Sequence, residues 1–315
     1  MKVARFSLAD LITLLAALVF GFICFLGLNF LTEGQIAISV VVSVLIAIVL
    51  GGLAWFVKSR KKVTRNFKTH RFLEYGGMVL FTALFALASY TVFPHYFTVA
   101  SRKQEIKDNL LSSINGAKRM FASYETYAEN RESLYAAELN SVVNAKRTRP
   151  SDYADYGFGA EGISDQVQIE NKLFTLHADL FPTNYSDTAS RKGTKDVAIK
   201  WLTEQESVVS QWKPIGIPIV SNEIAEKAEG WLSELIKYSK VREKGEVSQD
   251  FAYELSFSDV SPLLTETESP SSIAIIIAVV LWALMLFSWL ITKRDSKVAG
   301  VKLNRGKKEV ADNEL

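Results

Sequence analysis

The sequence predicts a mainly α-helical membrane protein, with four transmembrane helices and a predominantly helical domain between the third and the fourth. Three observations predict this class. Four long apolar runs carry few charges, lysines and arginines gather in short segments beside those runs, and the polar stretch before the last run repeats apolar residues at spacings of three and four. Such uneven patterning of the 315 residues favours a membrane protein over a soluble two-domain protein.

The four apolar runs are long enough to cross a bilayer. They cover Leu8–Leu31, Ile36–Val57, Gly76–Phe93 and Ser272–Thr292. Since a helix rises 1.5 Å per residue, about 20 residues cross a hydrocarbon core of about 30 Å. A buried core helix is the alternative, but such a helix rarely runs past about 18 residues without a charge. Asp10 is the one charged side chain inside the runs, and we expect it near the cytoplasmic end, where it can reach water.

Positive charge beside the runs predicts their orientation. The stretch "KSRKKVTRNFKTHR" holds seven lysines and arginines, whereas the short "TEGQ" loop between the first two runs holds none. Because basic residues in short loops stay in the cytoplasm, both termini are predicted to be cytoplasmic. The predicted topology determinants are Lys58, Arg60, Lys61, Lys62, Arg65, Lys68, Arg71, Lys293 and Arg294. Nucleic-acid binding is the competing interpretation and is not expected, while attraction to anionic lipid head groups is.

These assignments divide the chain into six segments. They are a transmembrane hairpin (1–57), a basic cytoplasmic loop (58–75), a third transmembrane helix (76–94), an extracytoplasmic domain (95–271), a fourth transmembrane helix (272–292) and a basic cytoplasmic tail (293–315). Residues 95–272 carry 20 Lys and Arg against 27 Asp and Glu, a net charge of −7 that suits an exported domain. The single cysteine, Cys24, lies in the first run, so packing alone must hold this domain together.

A long amphipathic helix is predicted between about residues 101 and 146, and it carries most of the candidate protein interface. The candidate interface residues are Ile106, Leu110, Ile114, Phe121, Tyr124 and Leu139 in this stripe, with Trp201, Trp212 and Trp231 in two later helices. A straight helix of this length extends about 55 Å. The later helices are shorter, so part of the stripe should remain for a second copy or another subunit, although the tryptophans can also fill the domain core.

One small β-ribbon is expected within the helical domain. Pro218 lies in "PIGIPIV", which we predict to be extended, with the next helix capped by Ser221 or Asn222 and ended by Gly245. "FAYELSF" alternates apolar side chains from Phe251 onward, which is typical of a strand. The two stretches can pair as a two-stranded ribbon.

Sequence motifs for catalysis or cofactor binding are lacking. The three histidines, His70, His95 and His177, have no metal-ligand spacing, and the chain has no phosphate-binding loop, nucleophile elbow or dinucleotide-binding glycine pattern. We therefore expect no enzymatic activity, no cofactor and no metal.

In its arrangement of spans and outer domain the chain resembles polytopic inner-membrane subunits of bacterial secretion machines, including the membrane complexes of type VI systems. The resemblance implies a non-enzymatic subunit of the plasma (inner) membrane that acts as a scaffold within a multiprotein complex. Its partners would be the lipid bilayer, other envelope subunits and further copies of itself. A membrane sensor with a helical sensing domain is the alternative, and a channel or transporter is less favoured because no charge lies at the centre of a span.

Overall fold

A computed structural model describes residues 7–61, 67–187, 189–190, 192–246 and 248–293. These residues form twelve helices and no strand, so the predicted mainly α-helical class is confirmed. In chain order the helices are α1 (Leu8–Leu31), α2 (Ile36–Lys61), α3 (Phe67–Thr91), α4 (Phe93–Ser101), α5 (Lys103–Asn144), α6 (Pro150–Asp155), α7 (Asp165–Leu180), α8 (Thr194–Ser210), α9 (Ile217–Ser239), α10 (Ser261–Thr265), α11 (Ser272–Met285) and α12 (Phe287–Ile291).

The chain divides into two compact units. One comprises residues 1–103 and 262–315 and is called the apolar unit; the other comprises residues 104–261 and is called the inserted unit. In the described chain three helical stretches are long and apolar enough to cross a membrane: Leu8–Leu31, Ile36–Lys61 and Lys68–Ser101. These stretches indicate a membrane protein whose apolar helices contact the lipid bilayer.

The basic segment between the second and third apolar runs is more helical than predicted. Helix α2 continues to Lys61 and α3 begins at Phe67, so most of the expected 58–75 loop is helix. Positive charge in the last turn of α2 complements the negative end of the helix dipole. Long basic side chains can also cover apolar surface with their stems while the charged ends reach water.

The fourth apolar run forms two consecutive helices. Helix α11 has 14 residues, and α12 follows after Leu286, so neither alone reaches the length of a span. The backbone ladder nevertheless continues through the junction, because the Leu286 N–H donates to the Trp282 carbonyl (3.2 Å) and the Leu290 N–H donates to the Leu286 carbonyl (2.9 Å). The division at Leu286 is therefore a local change of helix geometry.

Aromatic side chains fill the centre of the apolar unit. The Phe20 ring of α1 stacks on Phe93 with centroids 4.8 Å apart and lies 4.6 Å from the ring of Phe85. All three side chains are buried. The backbone of α1 also lies very close to Val92, at Gly27. A Cβ added at Gly27 would lie 2.3 Å from the Val92 carbonyl oxygen. Glycine is thus required at this approach of α1 to the start of α4.

Substituting alanine for Gly27 should destabilise the apolar unit by about 1–3 kcal/mol, since the added methyl forces two backbones apart. The expected observation is a lower unfolding temperature of the purified protein in mild detergent. Gly52→Ala is the matched control, because nothing lies within 4 Å of a Cβ at that position. Equal unfolding temperatures for the two variants would contradict the close packing at Gly27.

The inserted unit is helical, as predicted, and its long helix α5 spans Lys103–Asn144. Helices α7, α8 and α9 supply the other long elements of this unit. One of its interior clusters joins the second half of α5 to α7 through Tyr135, Leu139, Leu176 and Leu180. Packing of several helices along α5 thus gives the unit a core of its own.

The predicted β-ribbon is not present in the described residues. Helix α9 begins at Ile217, so the last four residues of "IGIPIV" are helical, and Phe251–Asp259 forms neither helix nor strand. Pro218 is compatible with this helix because it lies in the first turn, where backbone N–H groups have no intrahelical acceptor. The other end also differs: α9 ends at Ser239, and Gly245 adopts φ +89° in a later turn.

Candidate functional site

One candidate region is the charged end of the apolar unit, built around Asp10. Ser7 caps α1: the Asp10 N–H donates to the Ser7 hydroxyl (3.4 Å), and the Ser7 N–H donates to the Asp10 carboxylate (3.0 Å). The same carboxylate pairs with the Lys58 ammonium of α2 and accepts a hydrogen bond from the Ser288 hydroxyl of α12 (2.6 Å). The Asp10 and Lys58 side chains are largely buried. Asp10 therefore connects three helices.

A second set of contacts joins α2, α3 and α12 near this end. The Lys61 ammonium donates to the Trp289 carbonyl (2.7 Å) and lies 4.4 Å from the centre of the Trp289 ring. The Trp289 indole N–H donates to a carboxylate oxygen of Glu74 (2.9 Å), which is buried. Glu74 was expected in a cytoplasmic loop, but α3 begins early enough to include it.

Two other predicted topology determinants lie near aromatic rings. The Arg60 guanidinium lies 4.6 Å from the Phe56 ring centre, and Arg71 lies 5.5 Å from the Tyr75 ring centre. Lys68 and Lys293 are exposed. Three determinants, Lys62, Arg65 and Arg294, lie outside the described residues.

Two of these lysines, Lys58 and Lys61, bind partners inside the unit, which the sequence did not predict. Asp10 was expected to reach water, and Lys58 was expected to act only as an orientation signal. The contact between Asp10 and Lys58 could have been predicted from the sequence, because a helical hairpin brings the start of its first helix beside the end of its second. The first acid of α1 is thereby placed beside the first lysine of α2.

The second candidate region is the apolar stripe of α5, and its predicted availability to partners needs correction. The stripe members are buried within the protein itself: Ile106, Leu110, Ile114, Phe121, Tyr124 and Leu139. Tyr124 illustrates the reason. Its ring contacts those of Tyr185 (5.6 Å) and Phe251 (5.2 Å), and its hydroxyl donates to the Leu180 carbonyl (2.7 Å). The segments after α5 fold back along the stripe and cover it.

The three tryptophans lie in different environments. Trp201 of α8 and Trp231 of α9 meet edge to face at 5.9 Å, and Trp231 also lies 6.1 Å from Phe121. Both are half-buried, so they fill the margin of the core and keep an outer edge. Trp212 lies beyond the end of α8 and adopts φ +51°, so its predicted place on that helix is wrong.

A buried ion pair that the sequence reasoning missed fixes the segment after α9. Arg131 of α5 pairs with Glu246, and both side chains are only 2 % exposed. The guanidinium also donates to the Ser239 carbonyl (2.7 Å) and the Tyr127 hydroxyl (3.2 Å). Glu246 in turn accepts from the Ser248 hydroxyl (2.7 Å). Both side chains of this buried pair therefore have several hydrogen-bond partners.

The pair also shifts the ionisation of both groups. Burial alone would lower the pKa of Arg131, but its hydrogen bonds and attraction to Glu246 raise that pKa above its ordinary value. Burial alone would raise the pKa of Glu246, but hydrogen bonds from Arg131 and Ser248 hold it below its ordinary value. Both groups are therefore charged at neutral pH.

In the part of the chain that the structure describes, no three His, Cys, Asp or Glu side chains are grouped to hold a metal ion. No protein-family model matches the chain, and no curated protein or solved structure is significantly similar to it.

Proposed function

We propose that this protein is a non-enzymatic membrane subunit of a multiprotein envelope complex, related to secretion, in which the inserted unit acts as a scaffold. The observation that carries the proposal is the chain order: a polar helical unit with its own core, residues 104–261, interrupts a unit of apolar helices. In such a chain, both ends of the inserted domain are anchored to a membrane by apolar helices.

The proposed topology places four spans in the plasma (inner) membrane. Helices α11 and α12 together cover 272–291, which at 1.5 Å per residue extends about 30 Å and matches the hydrocarbon core. The basic residues of α2 and Lys293 would lie in the cytoplasm with both termini, and the inserted unit outside it.

Contacts that hold the segments of the inserted unit against one another support a scaffolding role. The buried Arg131–Glu246 pair holds the segment after α9 against α5, and Tyr135 holds it again by donating its hydroxyl to the Lys244 carbonyl (3.2 Å). Partners must then bind the outer surface, where Leu134 of α5 and Phe174 of α7 are 71 % and 74 % exposed. Large apolar side chains at such exposure are suitable first positions for detecting a partner.

The test is site-specific photo-crosslinking in native membranes. A photoreactive side chain at Phe174 or Leu134 should give a crosslink to the same identified envelope protein, and Phe174→Glu should weaken co-purification of that protein without changing the helix content. Glu204, exposed on α8, is the control position. If no defined partner crosslinks or co-purifies, and the protein runs as a monomer from its own membrane, the scaffolding proposal fails. A small molecule that co-purifies in place of a protein would favour a sensor.

A further inference from the structure

A groove lies between α1 and α12 at the charged end of the apolar unit. Its volume is about 620 Å³, which is in the range of ligand-binding clefts. Leu8 and Ile12 line it from α1, and Phe287 and Ile291 line it from α12. Leu8 and Ile291 are exposed, so the apolar wall is open to the surroundings of the helices.

The end of the groove is polar and positively charged. Lys58 and Lys293 line it together with the hydroxyl-bearing Ser7 and Thr292. The acid nearest to Lys58 is Asp10, and its two carboxylate oxygens already accept hydrogen bonds from Lys58, Ser7 and Ser288. Asp10 offsets one lysine, so the second lysine, Lys293, gives the groove end its net positive charge.

We propose that this groove binds one anionic phospholipid. The phosphate would lie beside the Lys293 ammonium, and an acyl chain would follow the wall formed by Leu8, Ile12 and Ile291. Basic pockets between membrane helices favour acidic head groups, and an apolar wall favours the chain attached to them. This inference rests on the apolar helices lying in a bilayer and is independent of any role in secretion.

The combination of features selects a lipid over a free phosphate. An exposed lysine alone holds inorganic phosphate weakly in water, because both ions are well hydrated. A lipid adds burial of its acyl chain against the groove wall, and its phosphate is already confined to the depth at which the groove ends. Binding should therefore require both the charge at Lys293 and the open apolar wall.

The experiment measures lipid binding to the full-length protein in mild non-ionic detergent by native mass spectrometry, with phosphatidylglycerol and phosphatidylcholine added separately. The wild type should bind phosphatidylglycerol about tenfold better, and Lys293→Glu should remove that preference. Ile12→Trp should also weaken binding, because it fills the groove without altering its charge. Lys200→Glu makes the same charge change at an exposed site on α8 and should leave the preference intact.

Several results would overturn the inference. Equal binding of the two lipids by the wild type would show that the groove does not select an anionic head group. Equal losses in Lys293→Glu and Lys200→Glu would show only a general effect of protein charge. Complete competition by inorganic phosphate at millimolar concentration would assign the site to free phosphate. Unfolding temperatures of all variants, measured without added lipid, ensure that each comparison uses folded protein.

Discussion

Replacing Arg131 by methionine is expected to lower the free energy of unfolding of the inserted unit by about 3–5 kcal/mol. The substitution leaves the Glu246 carboxylate buried without its cation, together with carbonyl groups that the guanidinium had paired. Urea unfolding of a fragment covering residues 104–261 measures the change, since that unit contains its own core and no cysteine. Reductant should not alter the unfolding of this fragment.

Two further variants make the comparison specific. Arg242→Met removes an ion pair with Asp250 whose side chains are 32 % and 48 % exposed, together with a hydrogen bond to the Ser239 carbonyl (2.6 Å), and it should cost less stability than Arg131→Met because no buried charge is left unpaired. The double variant Arg131→Met with Glu246→Leu should recover much of the stability, because no buried charge is left alone. A loss in Arg131→Met no larger than in Arg242→Met would contradict the buried pair.

The same pair predicts a dependence of stability on acidity. The pKa of Glu246 in the folded state is lower than its ordinary value of about 4.5. Its stabilising contribution is therefore present above about pH 4.5 and is lost as the pH falls through the folded-state pKa. The difference in free energy of unfolding between the wild-type fragment and Glu246→Gln should shrink as the pH falls below about 4.5. It should stay constant in measurements made between about pH 6 and 8. An advantage that persists unchanged into strong acid would contradict the assignment.

Among single substitutions at the charged end of the apolar unit, Asp10→Ala should lower the stability of the protein most. It removes the hydrogen bond from the Ser7 N–H to the carboxylate, one half of the α1 cap, and leaves the Lys58 ammonium without its carboxylate, at a combined cost of about 2 kcal/mol or more. Unfolding temperature and monodispersity in mild detergent are the measurements. Lys68→Ala, at an exposed position on α3, should leave both unchanged.

The Asp10–Lys58 interaction itself is isolated by a double-mutant cycle. Asp10→Ala combined with Lys58→Ala should destabilise the protein by less than the sum of the two single changes, since the second substitution removes the charge that the first one left unpaired. Strict additivity would show that the two side chains do not stabilise one another.

The position of the longest helix in this protein follows from local sequence, whereas the coverage of its apolar face does not. Periodicity predicted a helix over about 101–146, and α5 spans Lys103–Asn144. The same periodicity could not show what covers the stripe, because Phe251 lies more than a hundred residues from Tyr124. Local rules also misjudged Pro218: proline excludes a helix interior and permits a first turn, and only the position of the helix start decides between them.

The missed ion pair has a comparable origin. Arg131 stands in line with the stripe members Ala128 and Tyr135, so its burial could have been read from the helical spacing. Its partner Glu246 could not, since the ends of a long-range pair are joined only by the folded chain. The Asp10–Lys58 pair is easier to predict than the Arg131–Glu246 pair, because the hairpin of α1 and α2 alone brings its two members together.

The central claim is that the inserted unit lies on the opposite side of the membrane from the basic segments and the chain termini. Labelling single cysteines in intact cells tests it most directly. The background is Cys24→Ser, which removes the one native thiol. A membrane-impermeant maleimide should label Ser151→Cys, exposed on α6, and should label Ser296→Cys only after the cells are opened. Labelling of Ser296→Cys in intact cells, with Ser151→Cys protected until they are opened, would contradict this account.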